Sequence, residues 1–318
     1  LTLTNTPFLS DIATMKQLLA SLGCEVAGLQ NNRIITIAAG NISNHIAKYD
    51  IVRKMRASIL VLGPLLAREH RAVVSLPGGC AIGARPVDIH LSALEAMGAT
   101  LELKDGYIHA FAQGGLRGVD YTFPTVSVGA TENLIMASTL ADGVSIFRNC
   151  ALEPEIKDLC DCLIGMGAKI DGAGTKTITV EGVNQLVGNT HSVIVDRIEL
   201  GTYMLAPAIT GGEVFLRGGR LDLVESFSKK LVETGAKVKA LDGGLRVIAS
   251  GIGINPVEIS TKPYPGFPTD LQAQLMVLMT QAKGLSTIRE NIFENRYMHV
   301  PELKRMGAKI EIKDKTAY

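Results

Sequence analysis

One phrase returns five times along this chain and constrains its fold more than any other feature. An amphipathic helix ends on glycine and a small residue, and a polar turn then separates two short strand-like runs. The copies end at Gly23-Cys24, Gly98-Ala99, Gly167-Ala168, Gly235-Ala236 and Gly307-Ala308. Glycine just past a helix can take the left-handed backbone conformation that terminates it. The runs that follow alternate, as in Ala99-Thr100-Leu101-Glu102-Leu103-Lys104, with Asp105-Gly106 as a hairpin turn before Tyr107-Ile108-His109-Ala110. A second helix lies between copies, seen from Glu132 to Ala141 ahead of Asp142-Gly143 and the strand Val144-Ser145-Ile146-Phe147. Similar segments run over 202–210 and 271–282.

Each repeat therefore reads as strand, helix, strand, helix, strand, strand, with a period of roughly 70 residues. Solenoid units usually run only about 20 to 50 residues, so this period suits closed domains better than an open array. Three copies precede Gly188 and two follow Asp196. The expected fold is α/β in two pseudo-symmetric domains. The first spans 1–195 with three repeats, the earliest one shortened, and the second spans 196–318 with two of three. The chain begins without methionine and stops just after a turn, which suggests a fragment.

Composition narrows the function classes. With 32 Lys and Arg against 31 Asp and Glu, the formal net charge is +1, and no basic stripe marks a nucleic-acid binder. The apolar run Ile59-Leu60-Val61-Leu62-Gly63-Pro64-Leu65-Leu66-Ala67 falls far short of the roughly 20 residues that cross a bilayer, and no signal peptide is seen, so no membrane association is expected. The five cysteines, Cys24, Cys80, Cys150, Cys160 and Cys162, form an odd set without disulfide or zinc spacing, which fits a reducing cytoplasm.

The segment Leu76 to Asp88 carries the most chemistry. Three glycines and two prolines make it a loop holding one thiol, Cys80, and one fixed cation, Arg85. A thiol beside a guanidinium or a helix N-terminus has a lowered pKa and can act as nucleophile or acid, whereas one in apolar packing is inert. The other four cysteines sit in or beside helix and strand patterns and are read as packing residues. Arg85-Pro86-Val87-Asp88 reads as a helix entry, with Pro86 suited to the first turn, and such a start binds anions. Arg56 and Arg296 are further candidate anion contacts, although basic residues near Arg56 also suit a solvated helix face. Asp270, in Pro268-Thr269-Asp270-Leu271, opens a helix and is either a dipole-complementing carboxylate or a general base. Ser127-Val128-Gly129-Ala130 closes another strand-to-helix junction. His90, His109 and His299 lack metal-ligand spacing, so no metal is assigned.

Taken in order, these phrases resemble the UDP-N-acetylglucosamine 1-carboxyvinyltransferase family of enolpyruvyl transferases. The resemblance rests on Lys54-Met55-Arg56-Ala57-Ser58, the cysteine loop through His90, Val126 to Thr131, Glu153-Pro154-Glu155-Ile156, Asp196-Arg197-Ile198-Glu199, Phe267 to Gln274 and Phe293 to Glu302. It implies a two-domain inside-out α/β barrel of βαβαββ repeats, the second domain incomplete. It implies transfer of the enolpyruvyl group of phosphoenolpyruvate to the sugar 3-hydroxyl of UDP-N-acetylglucosamine, with phosphate leaving and no cofactor needed. Cys80 would match the cysteine that protonates the methylene carbon of phosphoenolpyruvate and can form a covalent adduct with it, and Asp270 the carboxylate that takes the hydroxyl proton. Arg56, Arg85 and Arg296 would match phosphate-facing arginines. Arg85, Pro86, Val87, Asp88, Ile89, Thr125, Ser127, Val128 and Ile292 would line the nucleotide-sugar site.

The chain departs from the family pattern at four positions. Leu152 stands where arginine usually precedes Glu-Pro-Glu, Leu60 replaces a common tryptophan, Thr125 a frequent lysine and Gly115 an arginine. The family's Lys-Asn pair near its N-terminus and the arginines of its last repeat have no counterpart, so the chain alone is expected to be weakly active or inactive. Two alternatives remain: 5-enolpyruvylshikimate-3-phosphate synthase, which lacks such a cysteine loop, and a non-catalytic relic that keeps the fold and nucleotide-sugar binding.

Overall fold

The recurring glycines act where the helices stop. Gly23, Gly98, Gly167, Gly235 and Gly307 adopt φ of 105°, 94°, 99°, 107° and 98°, a region where a side chain is strained. Asp105 and Gly106 take φ of 53° and 78°, the mirror-image turn whose twist matches a hairpin.

The structure is a computed structural model that describes residues 1–29, 33–77, 87–249 and 253–318. The chain divides between Ile194 and Val195 into two compact units. In the first, β1 (Thr2–Thr4), α1 (Ser10–Ser21), β2 (Glu25–Leu29) and β3 (Ile34–Ala38) come first. Next are β4 (Ile46–Ala47), α2 (Tyr49–Val52), a 3-10 turn Arg56–Val61, α3 (Leu62–Glu69), β5 (Arg71–Ser75), α4 (Asp88–Ala96), β6 (Thr100–Lys104) and β7 (Tyr107–Phe111). The run β8 (Asp120–Thr122), α5 (Val128–Ser138), β9 (Val144–Arg148), α6 (Pro154–Gly165), β10 (Lys169–Asp171), β11 (Thr177–Glu181) and β12 (Thr190–Ser192) completes it.

The second unit holds α7 (Arg197–Thr210), β13 (Glu213–Arg217), α8 (Glu225–Glu233), β14 (Lys237–Leu241) and β15 (Gly244–Ile248). It continues through β16 (Glu258–Ser260), a 3-10 turn Thr269–Leu271, α9 (Gln272–Met279), β17 (Thr287–Arg289), α10 (Val300–Arg305), β18 (Ile312–Lys313) and β19 (Thr316–Ala317).

Strand pairing reproduces the repeat. The sheets run β4-β5-β7-β6, β8-β9-β11-β10 and β16-β17-β19-β18, each with a leading parallel pair and a closing hairpin. The strand β12 precedes α7 in the chain, yet it pairs in parallel with β1, Thr190 opposite Thr2. It thereby completes the sheet of the shortened first repeat, β12-β1-β3-β2, and β13-β15-β14 has three strands.

Burial fixes the layering. Along the strands it alternates: Ala72, Val74, Ile108, Ala110, Phe147, Ile178 and Val180 are fully buried while their neighbours, Ser75 excepted, are half-buried or exposed. The helix α5 has no exposed residue: Ala130, Leu134, Ile135 and Ala137 are at zero exposure together with Thr131, Asn133 and Ser138, and Val128, Glu132 and Met136 are half-buried. A helix buried all round belongs inside its sheets. In the second unit α9 buries Gln272, Leu275, Met276, Leu278 and Met279 and leaves Val277 exposed. The helices therefore lie inward and separate sheets cover them, the inside-out α/β arrangement expected; the described residues form no closed barrel.

Boundaries differ from the sequence reading in three places. Lys54 and Met55 are not helical, because Met55 is extended (φ −148°, ψ 116°) and buried, so Arg56 opens a 3-10 turn instead of riding on a helix. The helix α5 starts at Val128, where Ser127 caps it, and Thr269-Asp270 opens a 3-10 turn ahead of α9.

Close packing inside the first unit rests on Gly63. Its N–H donates to Asn133 Oδ1 at 2.9 Å, and a Cβ there would meet that oxygen and lie 2.6 Å from the Asn133 carbonyl oxygen. Gly63→Ala is expected to lower the urea unfolding free energy by about 1 to 3 kcal/mol. Gly40→Ala, with nothing within 4 Å of its Cβ, should stay within about 0.5 kcal/mol of wild type.

Candidate functional site

Two helix starts meet at the polar end of the first unit. Val87 stands at the N-cap position of α4, Asp88 lies in its first turn, and Ile89 is half-buried against the core. A carboxylate there complements the helix dipole. At α5, Ser127 accepts the N–H of Ala130 at 3.3 Å, and Val128 packs on the same core. Thr125 is exposed, two residues before that cap. The starts are in contact, since a Cβ on Gly129 would sit 3.4 Å from His90 Cε1.

A buried amide ties these starts to Arg56. Asn133 Nδ2 donates to the Ile59 carbonyl at 3.2 Å and faces His90 Nδ1 at 3.1 Å, while its Oδ1 takes the Gly63 N–H. The donor is the amide nitrogen, so the His90 proton belongs on Nε2. Burial, reinforced by the Arg56 guanidinium and opposed by Asp88, pushes His90 down to about 4. His90 is therefore neutral at pH 7, which leaves Arg56 as the cation beside it. The sequence reading tested His90 only as a metal ligand and passed over Asn133. The signal available was an amide immediately ahead of the apolar run Leu134-Ile135-Met136-Ala137.

Carboxylates gather nearby without the expected arginine. Burial and the neighbouring Glu155 and Glu153 push Glu132 up to about 7. Position 152, where the family pattern has a cation, is leucine in this chain.

In the second unit, the 3-10 turn Thr269–Leu271 presents Asp270, and Arg296 Nη2 donates to its Oδ1 at 2.6 Å. The Asp270 side chain is 53% exposed and reachable, whereas Arg296 is 17% exposed and held, with its Cζ 5.7 Å from the Phe293 ring centroid. Burial first, then Arg296, lowers His299, whose Nε2 lies 3.2 Å from Met276 Sδ. Ile292 follows β17 and its N–H donates to Glu290 Oε1 at 2.8 Å. The sequence-predicted residues thus form two groups: Arg56 with Val87, Asp88, Ile89, Ser127 and Val128, and Asp270 with Ile292 and Arg296.

Cys80, Arg85 and Pro86 lie outside the described residues. The four described cysteines are buried free thiols. Desolvation raises all four, Cys150 to about 11 and Cys160 to about 12, which keeps them unreactive near neutral pH. Among the described residues no cluster could hold a metal, and no helix is long and apolar enough to cross a membrane. A cavity of about 220 Å³ lined by Thr6, Phe8, Ile12, Lys16, Arg33 and Ile35 contains none of the predicted site residues.

A family model described as EPSP synthase (3-phosphoshikimate 1-carboxyvinyltransferase) matches residues 1–318. The curated UDP-N-acetylglucosamine 1-carboxyvinyltransferase of Dinoroseobacter shibae is 61% identical over 317 residues, covering 100% of this chain and 75% of that protein. Its counterpart from Paracoccus denitrificans is 62% identical over 313 residues, covering 98% and 74%. The chain belongs to the UDP-N-acetylglucosamine 1-carboxyvinyltransferase family. Solved structures share its fold at lower identity. The enolpyruvyl transferase NikO of Streptomyces tendae superposes with a TM-score of 0.88 at 20% identity, over 99% of this chain and 75% of that one. EPSP synthase of Acinetobacter baumannii gives 0.70 at 18% identity, over 99% and 75%. The broader family model thus names a relative within the same fold, and identity near 60% separates this family from it.

The shifts at His90 and Glu132 oppose each other. A histidine whose folded pKa is depressed loses stability as pH falls from 6.5 toward 4; a glutamate whose folded pKa is raised gains it as pH falls from 7 toward 4.5. Each contribution amounts to about 3 kcal/mol across its window. In urea unfolding at pH 8, 6 and 5, His90→Gln should gain stability relative to wild type as pH drops, and Glu132→Gln should lose it.

Proposed function

We propose that this chain transfers the enolpyruvyl group of phosphoenolpyruvate to the 3-hydroxyl of UDP-N-acetylglucosamine with release of phosphate, the committing step of peptidoglycan synthesis. The observation that carries this reading is about 60% identity, across the whole chain, to curated enzymes of that name. An accessible carboxylate paired with a held arginine supports it in the second unit, and a neutral histidine beside Arg56 supports it in the first. A cytoplasmic setting fits the four free thiols among the described residues.

Cys80 delivers a proton to the methylene carbon of phosphoenolpyruvate while Asp270 takes the proton of the sugar 3-hydroxyl. The freed oxygen attacks the central carbon and gives a tetrahedral adduct that carries both sugar and phosphate. Loss of a methyl proton and cleavage of the carbon–phosphate-oxygen bond then restore the vinyl group and release phosphate. Acid and base must hold different protonation states at one pH, which two groups in unlike surroundings provide. Arg56, Arg85 and Arg296 offset the phosphate charge throughout. Val87, Asp88, Ile89, Pro86, Thr125, Ser127, Val128 and Ile292 hold the nucleotide sugar. Arg296 holds Asp270 in place before substrate arrives.

Phosphate release from phosphoenolpyruvate should depend on added UDP-N-acetylglucosamine, in this chain or in one lengthened to the span of its relatives. Asp270→Asn should cut kcat by about 100-fold or more, with Cys80→Ala at least as damaging. No nucleotide-sugar-dependent release from either chain would overturn the reading and favour a binding-only protein.

A further inference from the structure

We infer that Glu290 is a positioning residue for the sugar side of this reaction, an inference that rests on the activity proposed above. Glu290 follows β17 and is 2% exposed, and its described hydrogen-bond partners include no cation. Its Oε1 accepts the Thr261 hydroxyl at 2.8 Å and the N–H groups of Ile292 at 2.8 Å and Phe293 at 3.2 Å. Its Oε2 accepts the Thr269 hydroxyl at 2.9 Å. Burying a carboxylate is expensive unless its oxygens are fully engaged, and hydrogen bonds to an ionised acceptor are among the stronger ones.

The partners are not an arbitrary set. Thr269 immediately precedes the proposed base, and Ile292 is a proposed nucleotide-sugar contact. Phe293 lies under the Arg296 guanidinium, and Arg296 grips Asp270. The contacts therefore close a ring that runs from Glu290 through Thr269, Asp270, Arg296 and Phe293 back to Glu290. One planar side chain thereby fixes the turn that carries the base relative to the loop that meets the sugar. Thr261 is itself anchored, since its hydroxyl also accepts the Asn291 N–H at 2.9 Å. Glu290 acts through its neighbours and needs no contact with substrate.

The test combines hydrogen exchange at the Ile292 and Phe293 amides with steady-state kinetics on wild type, Glu290→Gln, Thr269→Val and Thr269→Ser. Glu290→Gln should speed exchange at both amides by about tenfold while the β13–β15 amides keep their wild-type rates. It should raise the KM for UDP-N-acetylglucosamine and lower kcat by about tenfold each, with the KM for phosphoenolpyruvate changed less than about twofold. Thr269→Val should lower kcat without loosening the two amides, and Thr269→Ser, which keeps the hydroxyl, should recover it. Wild-type exchange and kinetics in Glu290→Gln, with only a lower Tm, would overturn the inference. So would equal kcat in the two Thr269 variants, which decide the matter alone if Glu290→Gln does not fold. A wild-type enzyme without turnover would sink the proposed activity, while the exchange rates would still uphold or overturn the tie made by Glu290.

Discussion

The first unit depends on the packing of α5, a helix with no exposed residue, beneath its sheets. With α5 enclosed and α9 exposed at Val277, the residues proposed to meet ligand lie at helix starts and turns. The proposed contacts accordingly fall at Val87 to Ile89, Ser127 to Val128 and Thr269 to Asp270. The same burial makes single polar side chains decisive. Asn133 can sit inside α5 because both ends of its amide are used, and that use joins the turn of Arg56 to α3 and α4. A polar group left unmatched at such a position would cost about 1 to 3 kcal/mol, so the network also enforces one packing arrangement.

Charge is arranged by similar economy. His90 is kept neutral by burial, so it orients without adding a second cation beside Arg56. Asp270 is held by Arg296 yet stays half exposed, a combination suited to a base that must meet a hydroxyl. Burial raises the four described thiols, which keeps them out of chemistry near neutral pH. Burial first, then Glu155 and Glu153, push the Glu132 carboxyl up to about 7.

The repeat was legible because its punctuation is stereochemical: only glycine sits comfortably at φ near 100°, so Gly23, Gly98, Gly167, Gly235 and Gly307 betray the helix ends. Helix starts were less legible, since the Ser127 cap lies inside a motif that also reads as a loop. The destination of β12 was not legible at all. Three residues carry too little pattern to say whether they pair with β13 or with β1, and the pairing is decided by tertiary contacts. For the site, residue types at Asp270, Arg296 and Arg56 could be read from motifs. The pairing of Asp270 with Arg296, the Asn133 amide and the four donors around Glu290 could not, because contacts between residues distant in the chain leave no local periodicity.

The account depends most on Cys80 being the one thiol that reacts. Peptide-resolved mass spectrometry of the native chain, incubated with phosphoenolpyruvate and UDP-N-acetylglucosamine, tests this directly. An adduct of phosphoenolpyruvate mass on the peptide containing Cys80, with Cys24, Cys150, Cys160 and Cys162 unmodified, is the result expected. It forms when the Cys80 sulfur, in place of the sugar oxygen, adds to the central carbon while the thiol proton goes to the methylene carbon. An adduct on any of those four, or an unmodified Cys80 in a chain that turns over both substrates and loses no activity as Cys80→Ala, would contradict it.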